Sequence, residues 1–186
     1  MSKYLTSSLL VITFLVGLGV GFYISPSYAV MNDTSYEMKD LGRADKYFDQ
    51  RYIDAMIAHH MGAIQLAEQV KDKTKRSEIK EITESILENE PKLIMELYTW
   101  KKDWYNDTYK VTPKQGVNLG TYDANLDLRF INAAIAHHQA GVEMANEVAI
   151  KSTRNEIITN ALVVGDFLKN SEQSLKELRT KLYEIK

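Results

Sequence analysis

"DQRYIDAMIAHHMGAIQLAEQV", residues 49–70, returns 78 residues later as "DLRFINAAIAHHQAGVEMANEV", residues 127–148. Carried on to Ile79 and Ile157, the two stretches are identical at 14 of 31 positions without a gap. Such a density of matches at one fixed offset marks an internal duplication, and the architecture follows from it. Each copy reads as a long helix, a short polar break and a second helix. The spacing predicts the first helix over 46–71, with Ile53, Met56, Ala63, Ala67 and Val70 as an apolar stripe at three- and four-residue intervals. The break "KDKTKRSE" offers Thr74 and Ser77 as caps. A second helix runs to about Trp104, turning Ile79, Ile82, Ile86, Leu93, Leu97 and Trp100 inward. The second copy repeats this over 125–151 and 155–183, with Ile157, Ala161, Val164, Leu168, Leu175, Leu178 and Leu182 inward. Pro113, Gly116 and Gly120 mark the loop between the copies. A hairpin cannot bury its stripe alone, so two should pair into an all-α, antiparallel four-helix bundle of the ferritin-like type.

The organisation expected is therefore a bundle over 46–186, made of repeat 1 (46–105), a linker (106–123) and repeat 2 (124–186). Residues 30–45 are polar and read as a tether. Ahead of them, Lys3 is followed by no charge until Asp33, and residues 9–24 form an apolar run. Sixteen residues make about 24 Å of helix, short of the ~30 Å hydrocarbon core of a membrane. A charged start, an apolar run and then "SYA" (27–29) describe a secretory signal cut before Val30, or an uncleaved anchor over 1–29. Either one leaves Lys3 inside and the bundle outside the cytoplasm, with membrane contact through this segment.

Composition narrows the chemistry. The net charge is −2 with no long run of like charges, which argues against a nucleic-acid surface. With no cysteine, the chain has no thiolate metal site, disulfide or thiol nucleophile. What remains is four histidines, all of them in two adjacent pairs, His59–His60 and His137–His138. Heptad register puts His60 in line with Ile53 and Ala67, on the buried seam, and His138 in line with Ile131 and Ala145. His59 then falls on the flank, about 100° around the axis. Met56 lies one turn before both first-copy imidazoles. Ala63, Ala67, Gly141 and Ala145 leave space above the rings that large side chains would normally fill. A seam histidine is ordinarily a core residue satisfied by a carboxylate such as Glu90, but matched pairs beside methionine point to metal. Imidazole with thioether suits copper, and thioether favours Cu(I) over Cu(II). Met144 is a further sulfur candidate; Met61, Glu90, Asp49 and Asp127 are secondary ligands or supports for the ligands. Neutral imidazole is required for ligation, so affinity is expected to weaken toward and below about pH 6.5.

Residues 56–67, "MIAHHMGAIQLA", and 135–145, "IAHHQAGVEMA", resemble the duplicated signature of domain-of-unknown-function family 305. Its exported, CopM-like members are four-helix bundles that bind copper. The resemblance implies ligand roles for His59, His60, His137, His138 and Met56, with Met144 in the family's methionine slot of the second copy. This chain departs from the family pattern in having Ala58 and Ala136 where proline usually precedes the His pair. It also has Ala134 and Leu66 at two methionine slots, which implies an asymmetric site.

Three rivals remain. A ferritin-like di-metal enzyme needs Glu-x-x-His, which occurs nowhere, so no enzyme activity is expected. A b-type haem bundle would use one His and one Met; without CxxCH the haem would be non-covalent, and none is expected. A helical interaction module is the third, because residues 98–109 hold five aromatics, either packed against the loop or forming a belt toward a membrane or partner. Pro91 should bend the second helix beside Glu90.

Overall fold

The computed structural model describes residues 40–113 and 116–183. They form α1 (Phe48–Val70), α2 (Ser77–Tyr105), α3 (Leu126–Lys151) and α4 (Asn155–Tyr183), with no strand among the described residues. The architecture is the all-α bundle of two helical hairpins that the duplication implied. Within a hairpin, α1 packs on α2 and α3 on α4; the hairpins meet chiefly through α1 and α3. Those two run antiparallel, because Ser152 just beyond α3 donates from Oγ to Asp49 at the start of α1, at 2.6 Å. The apolar segment expected to be a signal or anchor lies outside the described residues. Among those described, no helix is long and apolar enough to cross a membrane.

Both hairpins begin with the same clasp. Gly42 turns the chain at φ +82° and Gly120 does so at φ +76°, a region glycine enters without steric cost. Arg51 Nε donates to the Leu41 carbonyl at 2.6 Å and Arg129 Nε to the Leu119 carbonyl at 2.6 Å. Their second nitrogens reach the carbonyls of Arg43 and Thr121, and their third the carboxylates of Asp45 and Asp123. Each clasped leucine is buried, and each is bonded from the other copy: Gln69 Oε1 accepts from Leu119 N at 2.8 Å, Glu147 Oε2 from Leu41 N at 3.4 Å. Leu41, inside the stretch 30–45 expected to be a tether, is instead buried, at 1 % exposure. In the sequence, Leu41-Gly42 and Leu119-Gly120 already stand 78 residues apart, so the repeat starts earlier than its densest stretch.

The hairpin breaks behave differently from the expectation. Thr74 accepts from the Arg76 amide at 3.2 Å in a local turn, and Ser152 does the same for Arg154. Neither Thr74 nor Ser77 caps α2 by side chain; the residue preceding the helix is Arg76, in extended conformation. The helix runs on through Pro91, which faces solvent. Its far end is closed by Asn106 at φ 49°. Of the aromatic run 98–109, the four members in the last turns of α2 pack on the core, whereas Tyr109 beyond the helix is exposed. Trp100 is buried and stacks on Trp104 at 5.0 Å, and Tyr98 Oη accepts from the Val111 amide at 2.9 Å, so the linker lies against this helix.

Two apolar clusters fill the bundle. One gathers Phe48, Tyr52, Ile53, Met56, Trp100, Met144 and Val148; the other gathers Leu66, Val70, Ile79, Phe130, Ile131 and Leu175. Along α1 and α3, the two histidine pairs lie between the stretches that feed the two clusters. A polar layer divides the core where the two central helices cross.

Candidate metal centre

His59 and His137 occupy the same position in the two copies, and they meet face to face: ring planes within 6°, centroids 3.8 Å apart. The local pseudo-twofold axis passes between them. His60 and His138, the other equivalent pair, sit at 6.1 and 6.3 Å from their neighbours' rings. His60 and His137 are buried, His59 and His138 half-buried. The register placed His60 and His138 on the seam and His59 on the flank; His60 is buried as expected, His138 is half-buried, and the first histidine of each pair turns into the α1–α3 crossing. An adjacent pair spans about 100° of helix, and a central helix with two packed neighbours buries both directions.

Small residues make the crossing possible. A Cβ on Gly141 would lie 2.8 Å from His59 Nε2 and overlap the Leu168 methyl; one on Gly62 would lie 3.2 Å from His137 Cε1. The space expected above the rings is thus taken up by the opposite imidazole, which is the close helix contact that small residues allow.

Burial keeps three of the imidazoles, those of His59, His137 and His138, uncharged. It pushes His137 down to about 3 and His138 to about 4, the latter against the pull of the Glu90 and Glu172 carboxylates. His59 is held well below its ordinary value by burial first and by the surrounding imidazoles second. Neutral rings are the ligating form. His59 Nε2 and His138 Nδ1 are buried with no hydrogen-bond partner among the described residues. A bare buried acceptor costs on the order of 1–3 kcal/mol, so nitrogens left this way invite a ligand. His60 Nδ1, by contrast, is paired with Glu90 Oε2.

The sulfurs lie to one side. Met56 and Met144 are buried in the same cluster, with Met61 packed against it, whereas their counterparts Ala134 and Leu66 belong to the other. Asp49 and Asp127 are not brought to the imidazoles. Asp49 pairs with Arg154 at 3.7 Å and Asp127 with Arg76 at 3.4 Å, tying the hairpin ends. Ten residues, about 15 Å of helix, separate each from its copy's first histidine. Glu172, one turn beyond Leu168 on α4, was not anticipated as a neighbour of His138; reading α4 for charges at the positions matching Glu90 and Ile94 would have found it. Among the described residues, no three His, Asp or Glu side chains converge as a preformed site. Parallel rings aim their lone pairs along parallel planes, so for His59 and His137 to share one ion, a ring must rotate.

A family model described as a domain of unknown function (DUF305) matches residues 27–101 and 49–119. The chain belongs to this family. Both DUF305 matches fall mainly on the first copy, and the second copy's histidines are tied to it by the internal repeat. A search of curated proteins gives no match. Among solved structures, the chain is similar to CopM in its Cu(I)-bound and Ag-bound forms, each at TM-score 0.64 and 27 % identity. The Cu(II)-bound form of CopM follows at 0.62 and 25 %; all three comparisons cover 73 % of this chain and 97 % of that one.

Proposed function

We propose that this DUF305 protein is an exported, non-catalytic copper-binding protein that sequesters or carries the ion. His59, His60, His137 and His138 supply nitrogen and Met56 supplies sulfur, with Met144 and Met61 as further thioethers. The observation that carries this reading is the pair of buried, unpartnered nitrogens, His59 Nε2 and His138 Nδ1, on two imidazoles that burial holds neutral. The histidine layer adjoins the methionine-bearing cluster in a fold shared with a protein solved with Cu(I), Cu(II) and silver. Thioether beside imidazole favours Cu(I). Rings 3.8 Å apart can part for an ion far more readily than for a porphyrin, which favours copper over haem. Export rests on the apolar run and "SYA" ahead of residue 30, and the same segment is the part that would touch a membrane.

Titration of Cu(I) into the purified chain against a chromophoric chelator tests the reading. Wild type is expected to compete at micromolar metal. The double variants His59→Ala/His137→Ala and His60→Ala/His138→Ala should each lose more than about 100-fold in affinity with helical circular dichroism retained. A wild type that cannot withdraw Cu(I) from the chelator removes the proposal.

A further inference from the structure

His60 and His138 are equivalent by duplication but differ in what holds them. Glu90 Oε2 meets His60 Nδ1, and the two side chains are 15 % and 7 % exposed. A carboxylate accepts and does not donate, so in neutral His60 the proton sits on Nδ1 and Nε2 keeps its lone pair. In the second copy the position of Glu90 is occupied by Leu168, which packs on Gly141. The matching nitrogen, His138 Nδ1, is buried with no hydrogen-bond partner among the described residues. Glu172 does not replace Glu90 there, because it is engaged by Gln139 at 2.8 Å and Lys176 at 2.5 Å.

Resting on the copper reading above, we infer that Glu90 is a positioning residue: it locks His60 as the Nδ1–H tautomer, aims Nε2 at the metal, and thereby makes the first copy the tighter half of the centre. Metal-bound histidines commonly gain orientation and basicity from a carboxylate on the other ring nitrogen. Here only one half of a duplicated site has that support, while the two repeat-related sulfur slots are shared out, Met56 in the first copy and Met144 in the second. His138, unsupported, is the adaptable ligand that turns to complete the coordination.

The test pairs nitrogen-15 NMR of the metal-free protein with Cu(I) competition. Wild-type His60 should show a protonated Nδ1 and an unprotonated Nε2. Glu90→Leu, which installs the second copy's residue, should release that tautomer and weaken Cu(I) by about 10- to 100-fold. Glu90→Gln should keep the tautomer, since an amide oxygen also accepts, and weaken binding less. Leu168→Glu should give His138 the Nδ1–H tautomer that it lacks. Wild-type His60 protonated at Nε2 overturns the inference, and so does Glu90→Leu that binds Cu(I) as tightly as wild type. Should Glu90→Leu fail to fold, the wild-type spectrum and Glu90→Gln decide alone: loss of the tautomer with glutamine overturns the lock. Wild type that takes up no Cu(I) sinks the functional reading itself, an outcome distinct from Cu(I) binding that ignores Glu90.

Discussion

Arg51 holds Leu41, Arg43 and Asp45 through the same three nitrogens by which Arg129 holds Leu119, Thr121 and Asp123. Ion pairs Asp49–Arg154 and Asp127–Arg76 repeat that agreement at the two ends of the α1–α3 contact. In the middle the copies diverge: Glu90 against Leu168, Met56 against Ala134, Leu66 against Met144. At the ends the same contacts recur: each clasp is closed by an arginine of its own copy, and each ion pair joins the two copies. Around the imidazoles the copies differ, with a carboxylate on one side only and the thioethers at different positions.

The strongest way to expose the central layer is acid. The unfolded chain takes up protons on its imidazoles near pH 6.5, whereas the folded chain does so at His138 only near 4 and at His137 near 3. The unfolded state therefore binds more protons across that interval, and stability should fall as pH drops from 6.5 toward 4. Urea unfolding at pH 7 and at pH 4.5 measures it. His137→Gln should flatten the dependence; an unchanged slope would mean that the stacked ring is not held neutral. The same shifts move proton competition for metal to lower pH than the 6.5 expected from free histidine.

Lys101 and Arg179 sharpen the comparison at the periphery. Lys101 is 3 % exposed and bonded to Asp54 at 2.7 Å and Asp107 at 3.3 Å, while its counterpart Arg179 makes a surface bond to Asn132 at 2.9 Å. Lys101→Ala should cost about 1–2 kcal/mol, because it removes a buried cation that two partly exposed carboxylates, Asp54 and Asp107, accept from. Arg179→Ala should cost less than about 1 kcal/mol. Equal unfolding midpoints for the two variants would show the pairs to be equivalent after all.

Glycine gives the most local contrast. Gly141→Ala forces a methyl against His59 and Leu168 and should cost about 1–3 kcal/mol. Gly62→Ala meets only the edge of His137 at 3.2 Å, and the helix propensity gained, up to about 1 kcal/mol, should nearly offset the crowding. Thermal melts that rank these two the other way would place the tight point of the crossing on α1.

Much of the bundle was legible because its signals are local. Apolar spacing marked all four helices, and the ungapped offset of 78 residues tied them into two like hairpins. The clasp was partly missed: Leu41 and Gly42 sit in a polar stretch, and their role depends on Arg51 ten residues on and on Glu147 in the other copy. Glu90 was legible as a candidate because Pro91 and the seam drew notice to it. Asp49 and Asp127 drew the same notice by matching across the repeat, yet their matching serves the hairpin ends.

From the amino-acid order alone come the helices, the duplication, the absence of thiols and the gathering of all imidazoles into two pairs. These follow from the 3.6-residue period and from composition, which operate without long-range contacts. Which histidine of each pair meets its counterpart was decided only by the crossing of α1 and α3. Adjacent side chains point about 100° apart, a central helix buries more than one face, and the choice falls to the close approach that Gly62 and Gly141 permit.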